Sequence, residues 1–236
     1  MSFTRKETPD CDVCPAKSNC LYLFLDRPAQ RAWKDLRTGC SFNESELLFN
    51  EGEKPSGLYI VCRGRVKICK TSPNGQQLIS RIEEAGDLVG HIELLAGSNF
   101  QSSGEIMGQT LVSLIDNVLF LDFLKKHPNA SIALMQALAR DVIVGDSKAR
   151  DIAYKSAKSR MADVLLKVAA AAGKNKAKFV VGGVKRRELA EMSGLTVETT
   201  VRILAEFEKK KIIKREGKEI VILSKSALEK ISSSGN

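Results

Sequence analysis

Three thiols stand within ten residues in Cys11-Asp-Val-Cys14-Pro-Ala-Lys-Ser-Asn-Cys20. Two cysteines with two residues between them can turn both sulfurs onto one metal. A third thiol close behind favours an iron–sulfur cluster or zinc. A redox disulfide pair is the competing chemistry, and scattered surface thiols are the bland reading. Pro15 and Asn19 keep this loop from closing into a regular helix. The other thiols are Cys40, Cys62 and Cys69. Cys62 ends the apolar run Leu58-Tyr-Ile-Val-Cys62 and reads as a small buried hydrophobe. Cys69 follows the alternation Val66, Lys67, Ile68 and is expected to face outward. His91 and His127, the two histidines, have no second histidine or paired carboxylate at hand, so surface or capping positions are expected for both.

A second chemistry lies in Val184–Phe207, VKRRELAEMSGLTVETTVRILAEF. Leu189, Ala190 and Met192 mark one short helix, broken at Ser193-Gly194, where glycine tolerates the left-handed conformation of a sharp turn. Thr196 can cap a second helix, whose apolar residues Val197, Val201, Leu204 and Ala205 follow helical spacing. Two short helices joined this way form a helix-turn-helix, with the second helix placed in the major groove of double-stranded DNA. Glu198 and Arg202 are four apart and share a face. Arg can bond guanine O6 and N7 together, a carboxylate can accept from a cytosine amino group, and Val201 can meet a thymine methyl. Thr196, Val197 and Thr199 complete that face, and Lys185 is a phosphate candidate. The bland alternative is an exposed helix with an ordinary Glu–Arg pair.

Charge distribution favours the DNA reading. Of 236 residues with a formal net charge of +9, residues 151–236 hold 19 Lys+Arg against 10 Asp+Glu, and residues 1–150 balance. A basic excess confined to the part with the helix-turn-helix suits phosphate neutralisation. No basic amphipathic helix with aromatic anchors and no apolar run of about 20 residues is present, so no membrane partner is expected. No leader is visible either, and a cytoplasmic location is expected, where thiols stay reduced. No nucleophile–base pair, carboxylate dyad or phosphate loop supports an enzyme.

The positioning elements follow. Short strands are predicted over 46–49, 58–62, 65–70, 78–83 and 111–115, with turns at Asn50-Glu-Gly-Glu, Arg63-Gly64, Pro73-Asn-Gly75 and Ala85-Gly-Asp87. This is the pattern of a sandwich or barrel. Leu21–Leu25, Trp33 and Leu36 predict short helices packing the thiol loop onto it. Pro128 opens a helix in which Met135, Leu138, Val142, Gly145, Ala149 and Ile152 form a heptad seam suited to a parallel homodimer. Gly145 weakens that seam, and Asp141 at g is expected to repel Asp146 at e of the partner helix. Ser159–Ala169 reads as an amphipathic helix, residues 170–178 as a Lys-rich turn and Phe179–Val181 as a strand. Ile212–Leu223 reads as a hairpin turning at Glu216-Gly217-Lys218, with Lys214, Arg215 and Lys218 as phosphate contacts. Ser232–Asn236 is expected to fray.

Leu195-Thr-Val-Glu-Thr-Thr-Val-Arg-Ile-Leu204 resembles the recognition helix of the cyclic-AMP receptor protein and FNR (CRP/FNR) family of bacterial transcription regulators. In that family Glu198 and Arg202 would be the base-reading pair, although part of the FNR branch has Ser where this chain has Val201. Gly57-Leu-Tyr-Ile-Val61, Gly64-Arg-Val-Lys67 and Gly86-Asp-Leu-Val-Gly90 look like the family's cyclic-nucleotide-binding-type jelly roll. The resemblance implies an α+β chain: a cysteine-cluster segment over 1–40, a β-barrel sensor over 41–127, a dimerisation helix over 128–156 and a winged helix-turn-helix over 157–236. It further implies a palindromic operator and RNA polymerase as partners. The spacing of Cys11, Cys14 and Cys20 is similar to the FNR branch, whose N-terminal cysteines hold an oxygen-labile 4Fe–4S cluster. The branch's fourth ligand is a Cys in a late barrel strand, where this chain has Ser113. Cys40, on the neighbouring first strand, is the expected fourth ligand, with Asp116 and Ser113 as alternatives. Gly145-Asp146 matches a Gly-Asp step in the FNR dimer helix, with Ile143 at its aliphatic position, so Ile143 and Asp146 are the expected dimer switch. The family's phosphate pocket needs an Arg after its Gly-Glu pair. Gly90-His-Ile-Glu93 and Phe100–Gly104 offer none, and no cyclic nucleotide is expected.

Overall fold

A computed structural model describes residues 4–6, 8–171 and 179–234. The chain divides into two compact units, Met1–Val142 and Ile143–Asn236.

In the first unit, β1 (Thr4–Lys6) precedes two single-turn 3-10 helices at Lys17–Asn19 and Leu21–Phe24 and the helix α1 (Arg27–Asp35). Asp26 caps α1, accepting from Ala29 N at 2.9 Å, with Pro28 in the first turn where no amide donor is missed. Then come β2 (Thr38–Phe42), β3 (Leu47–Phe49), β4 (Gly57–Thr71), β5 (Gln77–Glu83), β6 (Leu88–Val89), α2 (His91–Ala96), β7 (Ser103–Asp116) and α3 (Asn117–Lys126). The sheet is antiparallel, ordered β1-β2-β7-β4-β5, with β3 also on β7 and β6 also on β4. The long strands β4 and β7 pair from Gly57↔Asp116 to Cys69↔Ser103 and pass between layers, which is a jelly-roll arrangement.

Alternation along β4 feeds two separate cores. Tyr59, Val61, Val66 and Ile68 fill the barrel with Phe42, Phe49, Phe100, Ile106 and Val112. Leu58 and Ile60 face outward and meet Leu21, Tyr22, Trp33, Phe120, Ala130 and Leu134. Trp33 is fully buried, with ring centroids 5.4 Å from Phe123 and 6.4 Å from Phe120. This outer core fastens the N-terminal segment to the barrel.

The long helix α4 (Pro128–Tyr154) begins at Pro128 as expected and crosses the division between the units. The second unit continues with α5 (Ala157–Ala171), β8 (Val180–Val181), α6 (Arg186–Ser193), α7 (Val197–Lys209), β9 (Ile213–Glu216), β10 (Glu219–Ile222) and α8 (Lys225–Ser233). Met161, Leu165, Leu189, Leu204, Phe207, Ile213 and Leu228 build its core, beside a small sheet ordered β8-β10-β9.

Several expectations change. Arg63-Gly64 is no reversal. Gly64 (φ 89°) sits at an irregularity inside one continuous strand, pressed so closely on β7 that a Cβ would lie 2.7 Å from Gln109 O. A bulge there bends the strand without ending it. Cys69 is buried, not outward. The C-terminus is docked through residue 234: Ser232 donates to Asp163, and Ser159 donates to Ser234 O at 2.8 Å. The expected Lys-rich turn at residues 170–178 loses its first two residues to α5, which runs through Ala171, and residues 172–178 lie outside the described residues.

Candidate functional site

The basic unit presents one exposed helix face. Gly194 (φ 62°) ends α6 in the left-handed conformation, and its amide donates back to the Glu191 carbonyl. Thr196 Oγ1 then caps α7, accepting from Thr199 N at 3.2 Å. Ile203, Leu204 and Phe207 anchor α7 in the core, which turns the opposite face outward. On that face Val197 and Val201 are 46% and 38% exposed, flanked by exposed Glu198 and Arg202. Glu198 and Arg202 have no ion-pair partner among the described residues. The bland reading as an intrahelical pair therefore fails: both charged groups are free to meet a ligand. Lys185 precedes α6, where its amide donates to Glu188 Oε2 at 2.7 Å. In the hairpin, Arg215 is clamped to Glu208 (Nε–Oε2 2.7 Å), and Lys214 pairs with Glu216 at 2.7 Å. Arg215 thus fixes the wing to α7 and is not an available phosphate contact, whereas Lys218 at the tip is exposed.

The thiol loop lies on the barrel's outer face. Cys11 and Cys20 share a core with Leu58, Ile60 and Ile115. Tyr22 donates to Asp12 at 2.6 Å, and Lys34 of α1 pairs with Asp12 and with Asp10 at 3.3 Å. Gly86 (φ 104°) admits the loop, since a Cβ there would lie 3.0 Å from Asn19 Cβ. Its amide donates to Val61 O at 2.8 Å, beside Cys62. Cys62 Sγ lies 3.1 Å from Ser113 Oγ. Cys40, expected as the fourth ligand, belongs instead to the barrel interior with Phe42 and Val112, and is buried. Its position on β2 is one residue out of phase with the outer face, which sends its thiol to the opposite side. Asp116 is committed to capping α3, accepting from Val118 N at 2.8 Å.

Electrostatics tie the thiols together. Burial pushes Cys11 up to about 11, and the charges of Cys20, Cys62 and Cys14 push the same way. Burial also raises Cys20 and Cys62, while Arg37 opposes the shift at all three. Neutral buried thiols are poor nucleophiles, unlike the low-pKa cysteines of disulfide switches. Arg37 donates to Pro9 O at 3.0 Å, yet its buried Nε has no hydrogen-bond partner. A buried donor without an acceptor is costly, and a thiolate-held anionic group beside Arg37 would satisfy it. Among the described residues no three His, Cys, Asp or Glu side chains converge on one ion.

The helix seam is exposed in the single chain. Met135 and Val142 are 58% and 62% exposed, while Ala130, Ala133 and Leu134 turn into the outer core. Asp141 does not project toward a partner helix as expected. It accepts from His91 Nε2 at 2.9 Å and Arg81 at 3.0 Å, which neutralises it on its own barrel. His91 is accordingly buried and not at the surface. Ile143 is 65% exposed, and Asp146 is exposed with no ion-pair partner among the described residues.

Comparison with known proteins meets this geometry at both ends. Residues 40–127 match the cyclic nucleotide-binding domain, and residues 159–231 match the Crp-like helix-turn-helix domain. The chain is 27% identical over 221 residues to the transcriptional activator protein Anr of Pseudomonas protegens, covering 91% of this chain and 87% of the relative. The chain belongs to the CRP/FNR family. It is a DNA-binding transcription regulator, in a family of regulators and not of enzymes, whose members act as dimers. It is also 26% identical over 183 residues to the CRP-like cAMP-activated global transcriptional regulator of Mycobacterium tuberculosis, covering 77% of this chain and 82% of that one. The fold resembles FixK2 of Bradyrhizobium japonicum, with TM-score 0.74 and 21% identity, covering 85% of this chain and 99% of that one.

Within a CRP/FNR chain the barrel interior is notable for what fills it. Phe49 and Phe100 stack at 3.8 Å between centroids, and Phe49 also lies 6.4 Å from Tyr59. Phe100 presses on Gly90, where a Cβ would meet its ring at 3.3 Å. Sequence reasoning missed Cys62 and Arg37. The signal available for Cys62 was its phase: it falls two and four residues after Ile60 and Leu58, on the face opposite Tyr59 and Val61. Nothing in the sequence distinguished Arg37 from a surface arginine.

Proposed function

We propose that this regulator is of the FNR-like kind, a homodimer whose grip on a palindromic operator is set by an iron–sulfur cluster, most simply 4Fe–4S, held by Cys11, Cys14 and Cys20. The observation that carries the reading is the buried Nε of Arg37, left without a hydrogen-bond partner, while its guanidinium is bonded to Pro9 O ahead of a loop whose Cys11 and Cys20 share the outer core. When bound, such a cluster supplies oxygen-, nitric-oxide- or redox-labile anionic charge that ties the loop to the barrel. The chain's own residues carry the rest. Cys11 and Cys20 share one core with Ala130, Ala133 and Leu134 of α4, so a shift of the loop is felt by the helix that carries the seam. Ile143 offers apolar surface to the pairing, and Asp146 offers like charge against it. In the second unit, Glu198 and Arg202 read base edges, with Thr196, Val197, Thr199 and Val201 completing the face and Lys185 on a phosphate. RNA polymerase is the further partner, and the cytoplasm the setting.

Two observations favour this over control by a cyclic nucleotide of the sort named for the mycobacterial relative. No arginine lies between Arg81 and Arg140, and Phe100 and Phe49 occupy the barrel interior. A cyclic phosphate would find no guanidinium to neutralise it there.

Anaerobic purification tests the reading. Brown protein with visible absorbance and acid-labile sulfide, selecting a two-fold symmetric operator only without air, is expected. Colourless protein that binds the same DNA with and without air would overturn it. Asp146→Ala should favour the dimer by a few tenths of a kcal/mol per chain. Sedimentation of the metal-free variant is expected to show more dimer than wild type at equal concentration.

A further inference from the structure

We propose that Cys62, and not Cys40, supplies the fourth thiolate of the site formed by Cys11, Cys14 and Cys20. The assignment rests on the metal reading above and is argued from strand phase. Leu58 and Ile60 turn to the outer core that contains Cys11 and Cys20, whereas Tyr59 and Val61 turn into the barrel. Cys62 follows two residues after Ile60 and continues the outward set. On the neighbouring strand Ile115 turns to the same outer core and Val112 to the interior, so Ser113, two residues before Ile115, stands on the outer face as well. The 3.1 Å approach of Cys62 Sγ to Ser113 Oγ places the two side by side across the strand pair.

Cys62 also sits at a break in the ladder. Val61 pairs with Val112 and Arg63 with Leu111, which leaves Cys62 as the extra residue. A bulge can re-aim a side chain, and the contact with Ser113 shows that Cys62 keeps the outward aim of Ile60. The thiol is partly exposed, unlike Cys40, which is 1% exposed inside the barrel. Above it, the loop carrying Cys14 and Cys20 rests on Gly86, whose amide is bonded to the carbonyl of Val61, the residue before Cys62. The ligand set therefore comes from two segments, the loop at residues 11–20 and strand β4, with Ser113 beside the fourth thiol as a hydroxyl donor.

The test uses the full chain, reconstituted without oxygen from ferrous iron and sulfide, as wild type, Cys62→Ser, Cys40→Ser and the double variant Cys62→Ser/Ser113→Cys. Wild type and Cys40→Ser should hold equal iron and acid-labile sulfide, with Mössbauer parameters of thiolate-bound iron throughout. Cys62→Ser should lose the group about tenfold faster or more. Any iron it keeps should include a fraction with the isomer shift of oxygen ligation. Ser113→Cys should restore both readouts, because it returns a thiol to the same face one strand away. Cys62→Ser that matches wild type in content, lifetime and spectrum would overturn the assignment, and depletion in Cys40→Ser would return the role to Cys40. Alkylation of folded wild type covers the case in which the variants fold poorly. Prolonged treatment with iodoacetamide at alkaline pH, where even a half-buried thiol ionises, should label Cys62 in the metal-free chain and spare it in the loaded chain, and equal labelling of the two overturns the proposal. Wild type that takes up no iron overturns the metal reading itself, a different failure from loaded protein indifferent to Cys62.

Discussion

The two chemistry-bearing regions are built on opposite plans. The proposed DNA-reading face is local: cap, turn, anchors and charged groups all fall within Val184–Phe207, and one helix presents them. The thiol site is assembled. In the proposed set its loop contributes residues 11–20, β4 contributes Cys62 more than forty residues later, α1 contributes Lys34, and the turn after α1 contributes Arg37. A local site tolerates changes elsewhere in the chain, whereas an assembled one fails when any of several distant contacts is lost. The same difference suits the proposed tasks, since a sensor must couple distant segments and a reader must keep one face fixed.

Cys20→Ser should mark this contrast most strongly. Iron and sulfide uptake should fall to background. Operator affinity of the reconstituted protein should drop to that of metal-free wild type, about 5–150-fold at the usual strength of allosteric coupling. Fluorescence anisotropy under nitrogen measures it, and an unchanged affinity would separate the thiols from DNA control. Arg202→Ala makes the converse cut. It should cost about 1–3 kcal/mol on the selected operator, leave binding to scrambled DNA nearly unchanged and leave iron content untouched. An equal loss on scrambled DNA would make Arg202 a phosphate contact instead.

Legibility in the sequence followed the same division. The helix-turn-helix, its Thr196 cap and the hairpin at Gly217 were readable because each signal acts within a few residues. The barrel was readable as strands but not as faces. Period-two alternation says that Leu58, Ile60 and Cys62 share a side, but not which side meets the thiol loop, because that depends on where α1 and α3 dock. Adjacency of strands points to Cys40, but a one-residue offset is enough to turn its thiol into the barrel interior. Asp141 failed for a related reason. Its heptad position placed it at a dimer edge, but Arg81 and His91, from the barrel, hold it on its own chain.

Acid titration probes the barrel side of the comparison alone, because Trp33, the single tryptophan, reports on the first unit. Burial raises Glu83 to about 7, despite Arg81 3.2 Å away, with Asp87 and Asp141 pushing the same way as burial. A carboxyl raised in the fold favours folding when protonated. Its contribution is complete below the ordinary value of 4.5 and is lost as pH climbs through about 7. Glu83→Gln, which stays neutral, should therefore gain stability over wild type on going from pH 4.5 to pH 8. The gain should be on the order of 1–3 kcal/mol. Urea unfolding followed by Trp33 fluorescence at the two pH values measures it. A pH-independent difference would mean that Glu83 titrates as an ordinary surface carboxylate.

Thr196→Ala should have the smallest effect and tests how local the reader is. Thr196 Oγ1 accepts from Thr199 N at 3.2 Å and donates to Thr199 Oγ1 at 3.0 Å, so alanine leaves the first turn of α7 with an unmet amide. The expected cost is about 1 kcal/mol, confined to unfolding of the second unit, and Thr196→Ser should recover most of it. Trp33 fluorescence should report no change, and iron uptake should stay at the wild-type level. If the cap variant instead shifts the Trp33 transition or the iron content, the second unit is energetically bound to the sensor, and the plan of one local and one assembled site gives way to a single cooperative one.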